Sequence, residues 1–191
     1  MFALTSGGES WKSIHPRVST QLESPSLRLK DSYLSHVDEF RRRGEWLIPF
    51  VLRFPTDDFP AFIERLEKCA QGSEVAQGYA PHETFWLVED GVNVVGVSNL
   101  RLSLTDSLRK DGGHIGYGIR PTARRRGHAT LILKETLLKA KARGITRALV
   151  TAEKGNTGSI KTILKNGGVW DSEELLPGYN DVMQRFWIPI R

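Results

Sequence analysis

Ile115-Gly116-Tyr117-Gly118-Ile119-Arg120-Pro121-Thr122-Ala123-Arg124-Arg125-Arg126-Gly127-His128-Ala129-Thr130 reads as a strand, a basic turn and the opening of a helix. The strand stops at Pro121, which has no N–H to continue a ladder. The helix runs from Gly127 to Ala142, carries Leu131, Leu133, Leu137 and Leu138, and closes at Gly144. The first turn of a helix has unpaired N–H groups and a positive dipole end, which together bind phosphate or pyrophosphate. Gly127 lets a phosphate approach the backbone, and the small Ala129 keeps that route open. Three arginines add charge-assisted hydrogen bonds to phosphate oxygens. The segment is neither a Walker loop nor a dinucleotide fingerprint, because Gly-Lys-Ser/Thr is missing and the glycines are wrongly spaced. An Arg triplet before a helix is also a common solvated cluster; here its place behind a Gly-punctuated strand favours a ligand site. Gly116 and Gly118 mark either a bulge or the close approach of another backbone.

Downstream, a strand over Thr146 to Thr151 precedes a helix from Thr157 to Asn166, stopped by Gly167-Gly168. Trp170 and Met183 to Ile188 supply terminal strands around a Pro177-Gly178 turn. Upstream, Thr84 to Glu89 and Val92 to Leu102 are β-rich runs joined by Asp90-Gly91, a hairpin signal. A polar connector, Thr105 to Gly113, leads to the central strand. Before the hairpin, Asp31 or Ser32 caps a helix through Arg43, with Tyr33, Leu34, Val37 and Phe40 on one face. Thr56-Asp57-Asp58 caps a second helix through Ala70, bearing Phe59, Phe62, Ile63 and Leu66. Folded structure is expected to begin with a short strand at Leu27-Arg28-Leu29. Residues 1–25, rich in Ser, Thr and Gly, read as a flexible extension, and 26–191 as one domain. The strand–helix–strand tail predicts a parallel strand pair within an otherwise antiparallel sheet, an α/β chain of α+β type.

The chain has 191 residues, enough for one full core and little more. No apolar run is long enough to cross a bilayer, and Met1 to Gly8 lacks the basic and apolar regions of a secretory signal, so the cytoplasm is the expected location. A single cysteine, Cys69, excludes an intrachain disulfide and a Cys-based zinc cluster, and no metal is expected. The net charge of +5 suits any polyanion, so composition alone does not choose among nucleic acid, membrane and a phosphorylated cofactor.

With these elements in order, the chain resembles the GNAT N-acetyltransferases. Their cofactor loop reads Arg/Gln-x-x-Gly-x-Gly/Ala, as do Arg124-Arg125-Arg126-Gly127-His128-Ala129. Their second signature, an Asn, a small residue three further on and a Lys-x-Gly, is matched by Asn156, Ser159 and Lys165-Asn166-Gly167. The likeness covers His114 to Gly168. It implies a GNAT fold: a mixed central sheet, flanked by helices, whose parallel pair splays because the Ile115–Arg120 strand bulges away from Thr146–Thr151. Acetyl-CoA would lie in that opening. Main-chain groups of Tyr117, Gly118 and Ile119 would meet the pantetheine arm, and N–H groups from Arg125 to Thr130, including Gly127, His128 and Ala129, the pyrophosphate. Arg124, Arg125 and Arg126 would add their charge. Asn156 and Ser159 would contact the cofactor from the other wall and Lys165 its adenosine phosphate, although a plain helix cap explains Asn156 as well.

The resemblance further implies direct attack of an amine on the thioester. Many relatives place a Tyr acid seven residues after the Asn; here that position is Ile163. Their Glu base aligns near Gly113, and its neighbour His114 is the candidate base, an imidazole suited to neutral pH, with Glu83 and Tyr179 as weaker candidates. Expected partners are an amine-bearing small molecule or peptide and a second copy in a homodimer, with no nucleic acid and no membrane. Aromatic residues do not interleave with the arginines, which argues against a nucleic-acid platform. A GNAT-like acyl-CoA sensor without turnover is the alternative that the missing Tyr keeps open.

Overall fold

A computed structural model describes residues 19–191. Seven strands and five helices follow one another as β1 (Thr20–Glu23), α1 (Lys30–Arg42), α2 (Phe59–Gln71), β2 (His82–Glu89), β3 (Asn93–Arg101), α3 (Asp106–Lys110), β4 (Ile115–Ile119), α4 (His128–Ala142), β5 (Arg147–Glu153), α5 (Thr157–Lys165), β6 (Val169–Glu174) and β7 (Met183–Pro189). The strands form a four-stranded sheet, β1-β2-β3-β4, and a three-stranded sheet, β5-β7-β6, with every ladder antiparallel. The expected α+β architecture is present. The pair expected to run parallel, β4 and β5, is joined by a single backbone hydrogen bond at its start, from His114 N–H to the Leu149 carbonyl (2.7 Å). Beyond it the sheets part, and the far edge of β4 has no ladder partner among the described residues.

Local chemistry accounts for the elements. Asp90 and Gly91 both take positive φ (51° and 70°), the geometry of a tight turn, and with Val92 they make the three-residue connection between β2 and β3. Asp58 caps α2 by accepting the Ala61 N–H at 3.0 Å, with Pro60 inside the first turn. Two expectations change. Leu27–Leu29 is a 3-10 turn, not a strand, because only Leu29 of the three is buried and the chain is already turning into α1. The sheet instead begins within the stretch read as an extension, where Thr20–Glu23 pairs with Trp86–Glu89; residues 1–18 lie outside the described residues.

Helices α1 and α2 cover one face of the larger sheet, where Tyr33 stacks on the fully buried Trp86 (centroids 4.6 Å apart, planes at 18°) among Val37, Phe59, Phe62 and Leu66. Helices α4 and α5 cover the opposite side, packing Leu133, Leu137 and Ile163 against Ile115, Val150 and Phe186. The burial of these apolar faces on both sides holds the two sheets as one body. Among the described residues no helix is long and apolar enough to cross a membrane.

Candidate active site

The turn between β4 and α4 is built to leave its amides free. After a 3-10 turn at Pro121–Ala123, Arg125 and Gly127 adopt the left-handed region (φ 65° and 87°), and α4 starts without a side-chain cap. Among the described residues, no N–H from Arg125 to Thr130 meets an acceptor. Successive amides in such a turn form an anion-binding concavity that the helix dipole deepens. A left-handed arginine is strained, and such strain concentrates at functional sites. An open recess lined by Thr20, Glu89, Arg126, Gly127, His128 and Leu131 lies at this spot.

The three arginines divide their work. Arg124 donates from Nε to the Ile119 carbonyl (3.2 Å), pairs with Glu45 and sits over the Phe40 ring at 5.4 Å. Arg125 and Arg126 are exposed and carry no ion pair among the described residues. Arg124→Ala is therefore expected to lower the melting temperature and, by loosening the turn, acetyl-CoA affinity as well, while Arg125→Ala and Arg126→Ala each weaken acetyl-CoA binding roughly tenfold to a hundredfold with the melting temperature unchanged, as loss of a charged hydrogen bond to the ligand does. Calorimetric titration with thermal melts of the three variants separates these effects. The His128 imidazole is buried, with Nδ1 3.2 Å from the Ala123 carbonyl and Nε2 3.5 Å from Glu89.

On the opposite wall, Asn156 caps α5 by accepting the Ser159 N–H (3.0 Å), and Ser159 Oγ lies 3.0 Å from the Tyr117 hydroxyl. The structure thus adds a side-chain role to Tyr117, whose phenol pKa is raised by burial. Asn166 donates from Nδ2 to the Thr130 carbonyl (3.3 Å) and ties the end of α5 to the first turn of α4. Lys165 beside it is exposed, and Ile163 is fully buried. β4 pairs with β3 in unbroken register, so the expected bulge is absent. Gly118 serves close approach instead, because the Ile48 carbonyl crosses it where a Cβ would come within 2.0 Å.

His114 is not placed as a base. Its Nδ1 accepts the Leu149 N–H at 2.9 Å, so the neutral ring keeps its proton on Nε2 and presents a donor. Burial, then Arg109 and Arg101, push its pKa down to about 4. The imidazole is a crosspiece between the sheets. Glu83 is spent on Arg143, and Tyr179 donates to Asp111, which lifts the phenol to about 12. Buried His82 is likewise lowered to about 4, by burial and Arg101. The unfolded chain protonates such histidines near their ordinary 6.5, and the folded chain near 4. The unfolded state thus binds more protons in this window, and stability is lost as pH falls from 6.5 toward 4. The loss should reach on the order of 3 kcal/mol per histidine. Urea titrations across that range should show it, with a shallower slope for His114→Ala.

Sequence reasoning missed Arg101, His82 and Asp111, which gather on the α1/α2 side of β4. The available signal was the polar Ser98, Asn99 and Arg101 following the apolar run Val94 to Val97 of β3, all three of them buried. Among nearby aromatic residues, Trp86 is core and Trp46 is exposed, whereas Phe50 packs on His82 and Tyr79 in this group.

Residues 45–167 match the family model described as the Acetyltransferase (GNAT) family. No curated protein sequence matches the chain. Among solved structures, Mycobacterium smegmatis RimJ in complex with CoA-disulfide aligns with a TM-score of 0.67 at 16% identity, over 89% of this chain and 81% of that one. The microcin C7 self-immunity acetyltransferase MccE, bound to acetyl-CoA and AMP, aligns at 0.62 and 16% identity over 90% and 92% of the two chains. A Vibrio cholerae spermidine N-acetyltransferase aligns at 0.59 and 12% identity over 89% and 93%. At these identities the structural likeness is one of fold.

Proposed function

This chain belongs to the GNAT acetyltransferase family, and from that premise we propose that it transfers the acetyl group of acetyl-CoA directly to a primary amine of a small molecule or peptide. The observation that carries the reading is the uncapped, left-handed turn from Arg125 to Thr130, which opens α4 beside the unpaired edge of β4. The residues suit the cofactor. Amides of the turn, with Arg125 and Arg126, hold a pyrophosphate; the free edge of β4 at Tyr117–Ile119 takes the amides of the pantetheine arm; Ser159 and Asn156 form the facing wall, and Lys165 lies beyond them. Bound acetyl-CoA supplies the thioester from which the acetyl group passes to nitrogen, leaving the free thiol.

The chain's own contribution is placement. Arg124 sets the turn, His114 pins the start of the cleft, and the two helix layers shield its inner wall. With His114 tied at Nδ1, the amine is to arrive unprotonated, and the proton that its nitrogen sheds on acylation passes through solvent to the departing thiolate, which leaves as the thiol. Thiol release from acetyl-CoA across a panel of amines, with mass analysis of the product, tests the proposal. Acetylamide formation supports it; tight acetyl-CoA binding without thiol release from any amine would replace it with the acyl-CoA sensor.

A further inference from the structure

The polar group on the α1/α2 side of β4 lies outside the residues assigned to the cofactor. Arg101, which closes β3, is 5% exposed, and no carboxylate lies within ion-pair distance of it among the described residues. Its Nη1 donates to the carbonyls of Gly112 (2.8 Å) and Gly113 (3.3 Å). Its Nε is buried without a partner, and its Nη2 has none among the described residues. The guanidinium stacks near Phe50, 5.4 Å from the ring centre, and lies over Gly116 of β4, where a Cβ would stand 3.5 Å from Nη1 and 3.6 Å from Nη2. It therefore borders the strand that lines the cofactor cleft.

Burial pulls the Arg101 pKa down only to about 10, so the group is cationic at neutral pH; Tyr79 and Asp111 are close enough to bias it. Asp111 in turn accepts the Tyr179 hydroxyl, and His82 beside Arg101 stays neutral. A cation whose Nε is buried without a partner is costly unless an anion meets it. The Nε/Nη2 edge of a guanidinium matches a carboxylate in bidentate fashion. Asp111 places the opposite charge in the same group, where an amino function fits.

We propose that the acceptor is an amino acid, its carboxylate held by the Nε/Nη2 edge of Arg101 and its amino group directed toward Asp111. This rests on the acetyl-transfer reading and names its substrate class. The test measures thiol release from acetyl-CoA with the standard L-amino acids and with their carboxamides, in the parent protein, in Arg101→Gln and in Arg101→Lys. The free acids are expected to exceed the matching amides in kcat/KM by about tenfold to a hundredfold. Arg101→Gln should bring that ratio near one, and Arg101→Lys should keep part of it. A purely structural role would scale acid and amide by one common factor and leave the ratio alone. Amides or plain amines that match the acids, no turnover of any acid, or an unchanged ratio in Arg101→Gln would overturn the inference. Turnover of amines without a carboxylate would leave acetyl transfer standing, whereas cofactor binding with no release from any amine would remove both.

Discussion

Gly127→Glu is expected to weaken acetyl-CoA binding at least about a hundredfold, whereas Gly127→Ala should lose far less. The residue sits at φ 87° as the N-cap of α4, and a Cβ there meets nothing within 4 Å. Alanine therefore adds only the strain of a left-handed side chain, about 1 to 2 kcal/mol, to both the free and the bound protein. Glutamate adds the same strain and a negative charge at the mouth of the recess. Two like charges about 4 Å apart near a protein surface repel by roughly 4 kcal/mol at an effective dielectric of about 20. Calorimetric titration of both variants, with thermal melts alongside, decides the matter. Equal affinity in the two would mean that the phosphates bind elsewhere.

The largest stability effect is expected at Gly118. A Cβ at this position would lie 2.0 Å from the Ile48 carbonyl oxygen, a backbone atom that cannot rotate away. Gly118→Ala must push the Ile48–Pro49 segment off β4, and overpacking of this kind should cost about 3 kcal/mol or more. Gly116→Ala is the control. Its Cβ would meet Pro49 Cβ and Arg101 Nη1 at an ordinary 3.5 Å, so chemical denaturation should find it close to the parent. Similar midpoints for the two variants would show that the loop yields without penalty.

The parts of the fold that announced themselves locally were legible. Asp90-Gly91 can close a hairpin whatever surrounds it, and the Gly127 turn carries its left-handed geometry in adjacent residues. The parts that depend on distant pairing were hidden. Thr20–Glu23 is four residues whose strand exists only because Trp86–Glu89 lies alongside. Helix α3 is five residues, too short for a periodicity to show, and rests on Thr105 accepting the Leu108 N–H. His114 was picked out for its chemistry, but the hydrogen bond that decides its tautomer comes from a residue 35 positions away. Arg101 escaped notice because only the folded sheet reveals a cation without a carboxylate.

The contacts of Arg124 bear on the rate of encounter. Its bonds to Ile119 and Glu45, with Phe40 beneath, fix the turn before any ligand arrives, using α1, the chain beyond it and β4 as supports. A loop that must close over its ligand adds a slow conformational step to association; a receptor shaped in advance does not. Loosening the support by Arg124→Ala would leave a wandering turn that only some encounters find competent, a population tax on every collision. The guanidinium acts as a strut, and its influence falls on how often the ligand is captured as well as on how long it stays.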